Sequence, residues 1–200
     1  MNLTNPPGVE GTKRKNIIDM ALDFTAMMRL FVKGSKGRIA AKLEEFFLGL
    51  GDIRDRDEYE VRHRLFCEWF RGNIQTAEKT RRKGGVQPSA PSSYGQAAKI
   101  LDIAIKVYVY YCTQPNPATA ERIVPFLHGA IDTPIMKHLK KAKPDSSRVR
   151  ATTIKGLDEE AYQALQAMLL AESHQEKLNP VQYDDILWRR LNRQPAETGE

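Results

Sequence analysis

From Ile100 to Tyr110 the chain is apolar on nearly every face of a helix. Ile100, Leu101, Ile103, Ala104, Ile105, Val107, Tyr108, Val109 and Tyr110 leave no continuous wet side. A helix of this kind is stable only when buried among other helices, so the rest of the chain must supply them. The polar exceptions, Lys99, Asp102 and Lys106, fall at i, i+3 and i+7 and form one narrow stripe. That stripe either reaches solvent at a bundle surface or lines a cleft where charge takes part in chemistry. Asp102 and Lys106 read as a local ion pair along it.

Helical periodicity supplies the neighbours. Asn16 is expected to cap a first helix with Ile17, Met20, Ala21, Phe24, Met27, Met28 and Phe31 inward, after a mobile arm over residues 1–15. A second helix turns Ile39, Leu43, Phe46, Phe47 and Leu50 inward. A third, from Asp55 to Arg81, repeats Val61, Leu65, Phe66, Trp69, Phe70, Ile74 and Ala77. The Gly-, Pro- and Ser-rich break from Arg81 to Ser93 divides an N-terminal helical lobe (16–82) from a second lobe (94–193), with a polar tail over 194–200. In the second lobe a short helix is expected near Ala118–Val124, and another opens at Asp132 or Thr133 with Pro134 in its first turn. One more runs from Asp158 to about Lys177, and a last one comes after Asn179-Pro180. No segment alternates with period two. The expected fold is all-α, a multi-helix globular bundle of roughly seven helices with Trp69 and Trp188 as core anchors.

A chain of 200 residues can bury such a core without covalent staples. Cys67 and Cys112 lie in apolar runs and read as small hydrophobes in a reducing cytosol. Neither CxxC nor Cys/His zinc spacing occurs, so no metal is expected, and nothing calls for a cofactor. The N-terminal segment lacks the apolar core of a signal peptide, and no window approaches the ~20 apolar residues that cross a bilayer. A soluble cytoplasmic monomer with no membrane partner is the expectation. A net charge of +6 favours a polyanionic partner, nucleic acid first. Lys137, Lys140, Lys141, Lys143, Arg148, Arg150 and Lys155 crowd one span with only Asp145 among them. With Arg81, Arg82 and Lys83 they would track phosphates on both sides of a Lys99–Asp132 cleft; the plainer reading is a solvated basic loop.

Lys99 opens the apolar helix, and Asp132 opens a later one inside "AIDTPI". An amine and a carboxylate so placed are either a catalytic pair or two solvated residues, and Asp132 also has the position of an N-cap. His128 and His138 are candidates for acid/base groups or phosphate ligands, against the commoner role of satisfied structural histidines.

Three segments, in order along the chain, resemble the archaeal 8-oxoguanine DNA glycosylase/lyase family, a divergent branch of the helix-hairpin-helix glycosylases. They are "AAKILDIAIK" with Lys99 and Lys106, "HGAIDTPIMKHL" with Asp132, and "NPVQYDDILWRRLNR" with Asp184, Leu187 and Trp188. The likeness covers Tyr94 to Arg193; the Gly-rich hairpin typical of these glycosylases is absent. What it implies is a damaged base flipped out of DNA into a pocket. Lys99 would form an imine with the sugar, and an ionised Asp132 would stabilise the positive charge developing there. Trp69, Phe66 or Tyr94 would stack on the base. The competing reading is a non-catalytic all-helical protein that binds nucleic acid or a protein partner. A metal-dependent nuclease lacks support, because Asp184-Asp185 and Glu159-Glu160 are adjacent pairs that do not face one way on a helix.

Overall fold

The computed structural model describes residues 8–80, 85–142 and 149–192. Among them are eight α-helices: α1 (Val9–Phe24), α2 (Ser35–Leu48), α3 (Arg56–Asn73), α4 (Tyr94–Ile105), α5 (Pro117–Ile123), α6 (Thr133–Ala142), α7 (Glu159–Gln175) and α8 (Pro180–Asn192). The fold is mostly helical, and α4 is its axis. It packs against α1, α2 and α3 on one side and α7 on the other. From Tyr94 to Val109 every residue is buried except Lys99 and Ile103, one turn apart, which are half-buried. The only partly open face of this helix therefore begins at Lys99.

Local chemistry fixes where α4 starts. Ser93 Oγ accepts from the Gln96 backbone N–H at 3.2 Å, and the Gln96 side chain accepts from the Ser93 N–H at 2.9 Å. This reciprocal capping box satisfies two otherwise orphaned donors. Gly95 is required by packing, since a Cβ there would stand 2.5 Å from the Ile154 carbonyl and 2.6 Å from Leu157 Cβ. After Ile105 the helix widens into a π-helical turn over Lys106–Tyr111, with the Cys112 N–H donating to the Val107 carbonyl at 3.0 Å. Within that turn Tyr108 stacks on Phe47 of α2, ring centroids 4.1 Å apart.

The apolar core is one contiguous cluster running from Ile17 to Leu187. Several expectations are corrected. Helix α1 begins at Val9, behind Gly8 at φ 89°, so residues 9–15 are helical rather than a mobile arm; Arg14 holds Glu44 of α2 at 3.3 Å. Met20 and Phe24, expected inward, are exposed. Helix α3 ends at Asn73 instead of Arg81. Beyond it the chain forms an antiparallel hairpin of two-residue strands, β1 (Gln75–Thr76), β2 (Lys79–Thr80), β3 (Val86–Gln87) and β4 (Ala90–Pro91), pairing β1 with β4 and β2 with β3. Strands this short cannot display alternation. Val61 and Leu65 are 44% and 55% exposed, because α3 buries Tyr59, His63, Phe66 and Phe70 instead. Trp188, expected in the core, is 49% exposed on α8. Trp69 is half-buried against the core, and Cys67 is buried as expected.

Candidate functional site

Lys99 emerges from the second turn of α4 between apolar neighbours. Burial lowers its pKa from the ordinary lysine value, while the carboxylates of Asp132 and Asp184 act against that from nearby without reversing it. Both carboxylates are therefore within electrostatic reach of the amine. Among the described residues Lys99 forms no direct ion pair with either.

Asp132 is held in place by its own helix. Its Oδ1 accepts from the Ile135 N–H at 2.9 Å and its carbonyl accepts from the Met136 N–H at 2.9 Å, an N-cap of α6. The loop leading to it is clamped from α7 and α8. Gln166 donates to the Gly129 carbonyl at 2.7 Å and accepts from the Gly129 N–H at 3.3 Å, while the Ala130 N–H donates to Asp184 Oδ2 at 3.0 Å. A Cβ on Gly129 would collide with Leu169 and lie 3.0 Å from Asp184 Cβ.

Beside this lies a charge network, buried at Lys106 and Asp184 and open to solvent at Asp185 and Tyr111. Lys106 Nζ meets Asp184 Oδ2 at 2.8 Å and Asp185 Oδ1 at 3.0 Å, and the Tyr111 hydroxyl donates to Asp185 at 2.5 Å. Burial pushes the Asp184 carboxyl up to about 6, with Lys106 and the Ala130 N–H opposing it. The two adjacent aspartates, expected to face apart, converge on Lys106 because the long lysine reaches between them. Nor do Asp102 and Lys106 pair, as their stripe position suggested. Asp102, only 2% exposed, is engaged by His63 and Tyr162 instead.

Asp102 belongs to a second polar cluster, between α3, α4, α7 and the loop at His128. His63 Nε2 lies 3.0 Å from Asp102 Oδ1, and the Tyr162 hydroxyl donates to Asp102 Oδ2 at 2.8 Å. The same hydroxyl is 2.9 Å from His128 Nδ1, 3.3 Å from His63 Nε2 and 3.0 Å from the Gln166 amide nitrogen, which donates to it. His128 Nε2 meets Glu60 Oε1 at 2.7 Å. Burial disfavours an imidazolium at both histidines. At His63 the Cys67 sulfur and the Asp102 carboxylate outweigh it and raise the pKa to about 10; at His128 burial prevails and the pKa is lowered. Of this cluster the sequence singled out only Asp102 and His128. His63 sits at the Tyr59/His63/Phe66/Phe70 spacing of the buried α3 face. That spacing was the signal available for it.

The remaining candidates divide. Phe66 and Tyr94 are buried in the core, so their rings are occupied by packing against Trp69 and Tyr162 respectively. Trp69 keeps a half-exposed ring with Lys42 Nζ 5.7 Å from its centroid. Lys137 and Lys141 of α6 and Arg150 are exposed, whereas Lys140 donates to the Ala151 carbonyl at 3.0 Å. His138 contacts Glu172 at 3.1 Å. Arg81, Arg82, Lys83, Lys143 and Arg148 lie outside the described residues. Among the described residues no helix is long and apolar enough to cross a membrane. Comparison with protein-family models, with curated proteins and with solved structures gives no match for this chain.

Proposed function

We propose that the protein is a DNA base-excision glycosylase with lyase activity on 8-oxoguanine-type damage, built on a helix-hairpin-helix glycosylase-like bundle. The observation that carries this reading is Lys99, a partly buried amine whose pKa is lowered by its surroundings while Asp132 and Asp184 lie near it. A neutral lysine amine is the nucleophile imine chemistry requires. Its nitrogen adds to the sugar C1′ as the bond to the base breaks, and the base leaves with that electron pair and takes a proton. The sugar ring opens to the imine, after which elimination of the 3′ phosphate cleaves the strand. Asp132, with one oxygen fixed by the cap of α6, is a held negative charge that stabilises the cationic sugar.

With Phe66 and Tyr94 occupied in the core, the half-buried Trp69 and the exposed Trp188 are the indole faces open to a flipped base. Trp188 lies one turn after Asp184 on the same side of α8. The exposed Lys137 and Lys141 on the helix that Asp132 caps offer phosphate contacts. Borohydride trapping on oligonucleotides carrying 8-oxoguanine or an abasic site tests the reading. A covalent adduct lost in Lys99→Ala and slowed in Asp132→Asn is the expected result. A non-catalytic nucleic-acid-binding bundle is the second reading, favoured by a cap that accounts for Asp132 without catalysis; it gives salt-sensitive binding and no adduct.

A further inference from the structure

The buried cluster behind the Asp132 loop has a property that hydrogen bonding alone does not satisfy. We propose that His63 Nε2, the Asp102 carboxylate, His128 Nδ1 and the Tyr162 hydroxyl bind one divalent transition-metal ion of the zinc class, tying α3, α4, α7 and the His128 loop together.

Geometry is the first support. One ligand atom each from His63, Asp102 and His128 lies within 4.8 Å of the others, all three residues buried. The Tyr162 oxygen closes the group at 2.8 Å from Asp102, 2.9 Å from His128 and 3.3 Å from His63. A tetrahedral ion with ligands at about 2.0–2.1 Å holds them roughly 3.3–3.4 Å apart. The Tyr162–His63 separation already fits, those from Tyr162 to Asp102 and His128 widen by about half an ångström, and the spread of up to 4.8 Å among His63, Asp102 and His128 closes.

Proton accounting is the second. In its neutral form, the one that binds a metal, His128 carries one ring proton. Glu60 Oε1, 2.7 Å from Nε2, places that proton on Nε2 and leaves Nδ1 an acceptor. Tyr162 then faces two acceptors, Asp102 Oδ2 and His128 Nδ1, with a single O–H. One of the two is left without a hydrogen unless a cation stands between them. Ligand orientation is the third. A carboxylate gripping the far nitrogen of a metal-bound imidazole is the usual outer partner of such a ligand, and Glu60 occupies that place. Its second oxygen is buried without a hydrogen bond. Two imidazoles with oxygen donors select zinc, cobalt or nickel over magnesium or calcium. Binding displaces the Nε2 proton of His63 to solvent and leaves Tyr162 as a neutral donor. The ligands come from separate elements, so no short spacing motif announces them.

The inference is independent of the lysine chemistry. The full chain, stripped with chelator, is titrated with Co²⁺ and Zn²⁺. The expected result is one equivalent bound, visible cobalt absorption of tetrahedral type, and a raised melting midpoint that chelator reverses. Glu60→Gln, at a partly exposed position, is expected to weaken binding about 10–100-fold. Asp102→Asn abolishes it, and His138→Gln leaves it unchanged. Failure of the wild-type chain to take up either ion overturns the proposal. So does uptake that survives Asp102→Asn and is lost in His138→Gln. Imidazole ¹⁵N shifts that show a doubly protonated His128 indifferent to added metal have the same force, since they identify a proton in the cation's place.

Discussion

Gly129→Ala probes how firmly the Asp132 loop is set. The added methyl collides with Leu169, which is fully buried and has nowhere to swing, and stands 3.0 Å from Asp184 Cβ and 3.2 Å from the Pro180 carbonyl. Overpacking of this kind costs about 1–3 kcal/mol. The loop can relieve it only by moving away from α7 and α8, which stretches the two Gly129–Gln166 hydrogen bonds and the one from Ala130 to Asp184. Loss of one of these bonds adds roughly 1 kcal/mol, so a total of about 2–4 kcal/mol is expected. For a chain of this size that lowers the melting midpoint by roughly 4–16 °C. Gly37→Ala is the control: it is exposed within α2 with nothing near its would-be Cβ. There, removing glycine from a helix stabilises by about 0.5–1 kcal/mol. Urea unfolding of both variants, alongside adduct formation, reads stability and Asp132 placement together. A Gly129→Ala protein within ~0.5 kcal/mol of wild type, forming adduct at the normal rate, refutes the clamp.

Adduct formation requires neutral Lys99, so its rate rises with pH and levels off above the lowered lysine pKa. Asp184→Asn removes a charge that favours the ammonium, and is expected to move the profile to lower pH; a shift to higher pH contradicts the assignment. Tyr162→Phe strands Asp102 Oδ2 in the core, while the Gln166 amide keeps the Gly129 carbonyl, and is expected to cost about 1–3 kcal/mol by chemical denaturation. An unaltered midpoint would show that the cluster adds nothing to the fold. The Lys137→Gln, Lys141→Gln double variant is expected to reduce the slope of log affinity against log salt for duplex DNA by roughly 2. An unchanged slope places the phosphate contacts elsewhere.

The axis of the fold was legible because α4 is apolar on all sides, a pattern with one stable outcome. The start of α6 was legible for a similar reason, as Asp132 and Pro134 are strong local signals. Helix α3 was misread in its facing because two of its inward residues, Tyr59 and His63, carry polar atoms. Those atoms find Asp102 and His128 only in three dimensions. The stripe on α4 misled for the same cause: a buried Asp102 or Lys106 looks like a wet face until its partners on distant helices are known. Two-residue strands and a helix that starts at Val9 and runs through the polar Thr12, Lys13 and Arg14 offer no periodicity to read.

Because α4 buries one flank against α1–α3 and the other against α7, neither the segment before the hairpin nor the one after it can cover its own apolar surface. A polypeptide severed between residues 80 and 85 is therefore expected to persist as two halves in a non-covalent pair. Each half expressed alone would be insoluble, and mixing the two would restore the molecule.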